Sequence, residues 1–125
     1  MSGRGQRGIT DDPLRYLCRS MVSRNLIDQA GKLLAEVAGA ESTVILFGSH
    51  ARGEARADSD VDFLVIEPVV KNRLEEWGRL RRALKDFPMP VDIVVLDEER
   101  AERRAKVPGT MVHHALRDGQ VLAHA

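Results

Sequence analysis

Apolar residues along this chain fall into short runs and helical stripes, and together these patterns predict an α/β (α+β) fold. Two apolar runs, 43–48 and 63–66, flank a polar stretch, which predicts two strands joined by a short connection. A third run, 91–96, predicts another strand. Apolar residues at helical spacing over 72–87 predict a helix between the second and third strands. The expected architecture is a small mixed β-sheet of three to four strands flanked by helices.

The N-terminal part of the chain predicts helix after a polar tail. Residues 1–10 are rich in glycine and arginine with almost nothing apolar, which predicts a disordered tail. Residues 12–22 and 26–37 each carry an apolar stripe, and the break between them predicts two helices, or one helix kinked near Ser23. Residues 11–24 form a helical extension whose stripe either extends the core or faces another subunit. Core packing is the favoured interpretation.

The C-terminal part predicts two more helices and a last strand. The charged run 97–106 has acidic residues first and basic residues last, an order that suits the helix dipole. Residues 110–117 predict a second helix, with Met111 and Leu116 among its inward-facing residues. Residues 120–122 predict a short final strand.

A few residues with distinctive side chains require an interpretation of their own. Leu74 and Trp77 lie on the apolar stripe of the helix over 72–87, and Trp77 is expected in the core rather than as a platform for a nucleobase. Because His113 and His114 are adjacent, they face different directions, and both are interpreted as surface or satisfied core residues. Cys18 is expected to be a small buried residue, since nothing nearby in sequence would activate its thiol.

Composition narrows the class of protein. The 125 residues predict one domain over 11–125, with an ordinary apolar content of 43%. Lys and Arg total 19 and so do Asp and Glu, and a formal charge of zero argues against direct nucleic-acid binding. The single cysteine excludes an internal disulfide and fits the cytoplasm. No apolar run is long enough to span a membrane.

The polar stretch between the first two strands carries the candidate chemistry. Asp60 and Asp62 are two residues apart at the start of a strand, so their carboxylates project on the same side. They suit either a solvated strand start or a divalent metal site. Gly48 and Ser49 end the preceding strand, and a helix over 49–56 would direct free backbone N–H groups toward a phosphate.

A third carboxylate and a cation extend this candidate site. Asp92 is the polar residue of an apolar strand, and burying it without a partner would cost several kcal/mol. It is therefore expected near solvent or beside a cation. Arg52 adds positive charge after the glycine turn, where it either binds phosphate or pairs with Glu54 or Asp58.

The pattern of Gly48-Ser49, ten residues, and Asp60-Val61-Asp62 resembles the signature of the nucleotidyltransferase superfamily related to DNA polymerase beta. The fuller match, 46–53 with 58–65, resembles the minimal nucleotidyltransferase (MNT) proteins. Many of these are antitoxins paired with a HEPN-domain ribonuclease. The resemblance covers roughly residues 26–122.

The resemblance implies an activity and the residues that perform it. Asp60, Asp62 and Asp92 would be catalytic and would hold two Mg²⁺ ions, while Gly48 and Ser49 would bind the phosphates of ATP. The implied reaction transfers AMP to a tyrosine of the HEPN toxin within a hetero-oligomer, so that the chain acts as an antitoxin.

Two alternatives stay open. Little chain follows the carboxylate pair beyond what completes the sheet, which favours a protein acceptor over one bound in a pocket of the chain itself. A small acceptor, as in aminoglycoside nucleotidyltransferases, would need a dimer to form the pocket. The chain would otherwise act as a stoichiometric binding antitoxin with little catalytic use of the site.

Overall fold

The chain folds into alternating helices and strands. The computed structural model describes residues 13–56 and 59–125, with side chains from residue 24 onward. Within these residues no helix is long and apolar enough to cross a membrane. The elements in the described part of the chain are α1 (Pro13–Ala38), β1 (Thr43–Phe47), α2 (Ser49–Arg52), β2 (Val61–Glu67), α3 (Arg73–Ala83), β3 (Val91–Asp97), α4 (Glu98–Ala105), α5 (Met111–Asp118) and β4 (Gln120–His124).

The four strands form one mixed sheet in the order β3-β2-β1-β4. β1 is antiparallel to both β2 and β4, whereas β2 and β3 are parallel. A parallel pair needs a crossover connection, and α3 supplies it between β2 and β3. This confirms the predicted fold class, and it puts the starts of β2 and β3 at the same edge of the sheet as the end of β1.

Alternate residues of the strands point to opposite faces of the sheet and pack into two separate hydrophobic cores. On one face, Phe63 of β2 packs with residues from α1 and α3, including the fully buried Leu34 and Leu80. On the other face, Leu64 packs with residues from α4 and α5, including Val112. Asp62 lies two residues before Leu64, so its side chain belongs to the face covered by α4 and α5.

α1 is one helix that continues through Ser23, so of the two predicted alternatives the separate helices are excluded. Its C-terminal half packs against β1 and β4, with Ile27 and Leu34 buried. Gly31 permits this contact, because a Cβ built there would lie 2.7 Å from Leu122 Cβ. The predicted tail, 1–10, and the side chain of Cys18 lie outside the described residues.

Several apolar residues predicted to be buried are exposed. Leu74 is 76% exposed and Trp77 is 40% exposed, because α3 buries its C-terminal end, at Leu80 and beyond, while its first turns border a polar cluster. Met111 and Leu116 on α5 are also exposed. An eight-residue helix buries only a narrow stripe, and these residues flank that stripe.

The polar cluster beside α3 contains a buried carboxyl group at the end of β2. Glu67 is only 5% exposed, and its Oε2 has no hydrogen-bond partner among the described residues. Burial, together with a hydrogen bond to Glu76 and the negative charge of Glu76, raises the pKa of Glu67 to about 8. Arg79 binds both carboxylate oxygens of Glu76, at 3.0 and 2.7 Å, and fixes its negative charge there. Glu67 therefore stays protonated at neutral pH.

The Glu67→Gln variant should lose part of the dependence of stability on pH. Between the ordinary pKa of 4.5 and the folded pKa of about 8, the folded chain keeps a proton that the unfolded chain has released. Stability from this group is therefore fully present below pH 4.5 and declines as the pH rises to 8, by a few kcal/mol in order of magnitude. Glutamine cannot ionise, so Glu67→Gln should be more stable than the parent chain at pH 8.5.

Urea unfolding from pH 5 to pH 8.5 measures this difference. The matched control is Glu75→Gln, which removes an exposed carboxylate from the first turn of α3, next to Glu76, and should follow the parent chain. An unchanged pH profile for Glu67→Gln would show that Glu67 ionises normally in the folded protein.

Candidate active site

The site is built around Gly48, where β1 ends and the backbone turns into α2. Gly48 has φ 79° and ψ −156°, a backbone conformation that residues other than glycine almost never adopt. A Cβ on Gly48 would collide with Asp62 Oδ2 and lie 3.2 Å from Asp62 Cγ. Glycine at this position therefore lets the main chain approach the Asp62 carboxylate directly.

The helix that follows Gly48 is shorter than predicted. α2 ends at Arg52 instead of Arg56, because Gly53 takes a left-handed conformation that terminates it. The backbone N–H groups of Ala51 and Arg52 donate to the Gly48 carbonyl. The first turn of a helix leaves N–H groups without internal acceptors, so Ser49 keeps the position expected for phosphate binding.

The sheet brings two of the predicted carboxylates side by side. Asp62 lies opposite Phe47 of β1 on one side and opposite Asp92 of β3 on the other. Asp62 is half-buried, whereas Asp60 and Asp92 are exposed. The prediction that Asp92 lies near solvent is therefore confirmed.

The electrostatics of the site centre on Asp62. Burial raises the pKa of Asp62, and the negative charges of Asp92 and Asp60 raise it further. The nearby His50 and Arg52 act in the opposite direction. Three carboxylates that repel one another at one sheet edge would be stabilised by a cation.

The donor set fits magnesium together with a substrate. Over residues 24–56 and 59–125, no three His, Cys, Asp or Glu side chains are gathered into a ready-made metal cluster. Magnesium prefers hard oxygen ligands and is commonly held by one or two carboxylates plus the phosphates of its substrate. Asp60, Asp62 and Asp92 supply such oxygens around a backbone turn that is open to phosphate.

Two basic side chains flank the glycine turn. Arg52 Nε donates to Glu54 Oε1 at 2.9 Å, one of the pairings predicted for it. Both side chains of this pair are at least half exposed, so the pair contributes little and a phosphate could displace it. His50 Nε2 lies 3.2 Å from the Ser59 carbonyl oxygen, which links α2 to the loop that precedes Asp60.

The structure adds residues that the sequence does not indicate. A cavity of about 270 Å³ lies between Gly48, Arg52 and α5, and His114 lines it. His113 instead points its Nδ1 at the Ala105 carbonyl oxygen, 2.8 Å away. His114 lies 52 residues after Asp62, the last residue of the signature, so no local pattern links them, and adjacent histidines give no indication of which one faces the site.

Gln120 is a positioning residue that the sequence also misses. Its Nε2 donates to the Ala51 carbonyl at 2.8 Å and so ties β4 to α2. The glycine turn is thereby held from two sides, by the β1–β2 pairing and by the start of β4.

Comparison with protein families identifies the signature. The sequence model of the nucleotidyltransferase domain matches residues 27–112, more than half of the chain. This confirms the resemblance in the sequence. No curated protein matches the chain significantly.

Solved structures share the fold. A Sulfolobus solfataricus protein assigned as a nucleotidyltransferase is 22% identical with a TM-score of 0.59, and the match covers 91% of this chain and 90% of that one. A toxin–antitoxin with AMP-PNP is 17% identical, with a TM-score of 0.57 and coverage of 78% and 73%. A mutant of the toxin–antitoxin MntA-HpeT is 19% identical, with a TM-score of 0.53 and coverage of 75% and 69%.

The Gly48→Ala variant should be destabilised more than Gly53→Ala. Both glycines have positive φ, at 79° and 73°, but nothing lies within 4 Å of a Cβ at Gly53. Alanine at Gly53 should cost about 1 kcal/mol from strain alone. Alanine at Gly48 should cost about 3 kcal/mol, because its strain is greater and it pushes the Asp62 carboxylate away.

Urea unfolding of both variants checks this difference. Equal losses would mean that the chain relaxes around Gly48 and that the close approach to Asp62 does not constrain it.

Proposed function

The chain belongs to the nucleotidyltransferase domain family, and on this premise we propose that it transfers AMP from ATP to a hydroxyl group of a partner protein. The observation that carries the proposal is the approach of the Gly48 backbone to Asp62, with Asp92 beside Asp62 in register. This geometry supports the proposal, because a glycine turn of the kind that suits phosphate lies next to carboxylates of the kind that suit metal ions. A triphosphate with its metal ions needs both the turn and the carboxylates.

The chain's residues divide the work of phosphoryl transfer between them. Gly48 and Ser49 bind the β- and γ-phosphates through backbone and hydroxyl donors, and Arg52 neutralises charge there after leaving Glu54. Asp60, Asp62 and Asp92 would hold the metal ions at the end of the sheet where the strands of Asp62 and Asp92 pair. Two Mg²⁺ ions, when bound, supply charge neutralisation and lower the pKa of the attacking hydroxyl.

The proposed step is a simple displacement at phosphorus. The hydroxyl oxygen of the acceptor forms a bond to the α-phosphorus, and the bond between the α-phosphorus and the bridging oxygen breaks. Pyrophosphate leaves, and the hydroxyl proton passes to solvent. The products are an AMP-modified acceptor and pyrophosphate, so no oxidant or further reactant is required.

The shape of the site favours a protein acceptor. The cavity beside Gly48 holds about 270 Å³, less than pockets that enclose a small molecule usually provide. Asp60 and Asp92 are exposed at the sheet edge, so an acceptor can approach from outside. The elements after β2 all serve to complete the sheet and cover its faces.

The proposed partner is a HEPN-type ribonuclease toxin that is modified on a tyrosine in the cytoplasm. Two structures that share this fold are toxin–antitoxin assemblies, and AMP-PNP accompanies one of them. On this basis we propose that the chain is the antitoxin of such a pair, acting within a hetero-oligomer.

The Asp62→Asn variant should separate metal binding from folding. Asparagine keeps the shape of the side chain but removes a half-buried charge that Asp60 and Asp92 repel, so the variant without metal should be more stable than the parent chain at pH 7. With MgCl₂ and a non-hydrolysable ATP analogue, the parent chain should gain about 2.7 kcal/mol when the ligands are at 100 times their Kd. The variant should gain much less.

Thermal unfolding with and without these ligands gives the measurement. Asp86→Asn, which neutralises an exposed aspartate elsewhere, is the matched control and should behave like the parent chain. If Asp62→Asn and the parent gain equally, Asp62 is not a metal ligand.

Intact mass spectrometry tests the transfer itself. The chain is incubated with ATP, Mg²⁺ and a tenfold excess of the protein encoded beside it, and both masses are measured. We expect the excess partner to gain one or more AMP groups, because a catalyst acts at low molar ratio. Asp60→Ala should abolish the gain, since it removes a metal ligand, whereas Glu102→Ala on the exposed face of α4 should not.

The other outcomes point to the two alternatives. A stable complex without a mass gain would indicate a stoichiometric binding antitoxin. If neither a mass gain nor a complex is observed, the protein encoded beside the chain is excluded as the acceptor, and a small acceptor is favoured. Full transfer by Asp60→Ala would contradict the assignment of the metal site.

A further inference from the structure

A groove of about 500 Å³ runs between the end of α3 and the start of β3, and we refer to it as the basic groove. Its floor is apolar and its rim is cationic. The floor consists of Leu84, Phe87, Met89, Pro90 and Val91, and the rim of Arg81, Arg82 and Lys85. None of the residues identified above with the reaction lines it.

The rim cations are not neutralised by the chain. Arg81, Arg82 and Lys85 are all exposed, and none forms a salt bridge with a described acidic residue. Asp86 is the one acidic residue between Arg81 and Val91 in sequence, and it does not line the groove. The groove is therefore a local excess of positive charge on a chain whose formal charge is zero.

One rim cation is held in place from two sides. Arg81 Nη1 donates to the Val91 carbonyl at 3.0 Å, and its guanidinium carbon lies 5.8 Å from the centre of the Trp77 ring. The second contact gives the exposed Trp77 ring a cationic partner on the surface. Both contacts order Arg81 before any ligand binds, which lowers the entropy cost of binding.

The basic groove adjoins the edge of the sheet that carries the carboxylates. Val91 lines the groove and precedes Asp92 directly. Pro90, also in the groove, accepts a hydrogen bond of 2.8 Å from the N–H of Val61, which lies between Asp60 and Asp62. Val91 and Asp92 are adjacent in β3, so their side chains point to opposite faces of the sheet, and the groove lies on the face covered by α1 and α3. A polypeptide bound in the groove would reach the carboxylates by continuing around the start of β3.

We propose that the basic groove binds an acidic segment of the acceptor protein and so presents a nearby hydroxyl to the site; its role in transfer rests on the proposed function. The carboxylates of the segment would pair with Arg82 and Lys85 on the rim. An apolar side chain of the segment would cover Phe87 and Met89 on the floor.

The groove suits a polypeptide better than a nucleic acid. A phosphodiester chain needs positive charge along its whole path, whereas the cations here border one apolar depression and the adjoining edge carries three carboxylates. The apolar floor gives a phosphate nothing to bind. An acidic segment with one apolar residue can pair its carboxylates with the cations of the rim and pack its apolar side chain on the floor.

The test measures binding of a random copolymer of glutamate and tyrosine, labelled with fluorescein, by fluorescence anisotropy. Glutamate supplies the charge and tyrosine the hydroxyl. Arg82→Glu combined with Lys85→Glu should weaken binding about tenfold, about 1.4 kcal/mol, because two attractions become repulsions. Arg81 is kept, since it also bonds the backbone.

The matched control combines Arg103→Glu on α4 with Lys106→Glu just after it, and so reverses two exposed cations away from the groove. This control should change binding by no more than about twofold. A copolymer of lysine and tyrosine should not bind. Equal weakening in both double variants would overturn the proposal. Tighter binding of a labelled single-stranded RNA than of the acidic copolymer would also overturn it.

AMP incorporation into the same copolymer separates this inference from the proposed function. If the groove substitutions weaken binding of the copolymer but no AMP is incorporated, the groove is still a docking surface, and the proposed transfer to protein is contradicted. Incorporation that is equal in the parent chain and the groove variant would count against the groove alone.

Discussion

The close approach of the Gly48 backbone to the Asp62 carboxylate is the constraint on which the site depends. It exists because β1 ends opposite the start of β2, with Phe47 paired to Asp62. The parallel pairing of β2 with β3 then puts Asp92 beside Asp62. A slip of one residue in either pairing would turn one of these carboxylates to the other face of the sheet, so the site is as specific as the strand register.

The rest of the fold can be understood as support for that register. Cores on both faces bury Phe63 and Leu64, the residues that follow Asp62, and this double burial fixes β2 in place. Gln120 holds α2 from the far side of β1. The desolvation of Asp62 and its repulsion by Asp92 and Asp60 are tolerated because apolar packing on both faces outweighs them.

The sequence was enough to predict the strands, the mixed sheet and the juxtaposition of Gly48 with the aspartates, because these follow from periodicity and spacing within the chain. It was not enough to predict contacts between distant segments. The hydrogen bond from Arg81 to the Val91 carbonyl joins α3 to β3, and the place of His114 depends on how α5 lies against β1. Helical periodicity marks an apolar stripe but does not say how wide a stripe the sheet covers, which is why Leu116 was misplaced.

Although the formal charge of the chain is zero, positive and negative side chains are strongly separated on its surface. One end of the sheet carries three carboxylates, and the basic groove begins at the same end, at Val91, on the opposite face of the sheet. Such an arrangement attracts a divalent cation and an anionic ligand to adjacent positions, and it orients a partner whose own charges are arranged in the complementary order. An acidic segment that approached the carboxylates would be repelled, and one that settled in the groove would be retained. Local charge order, rather than net charge, would therefore decide which part of an acceptor faces the site.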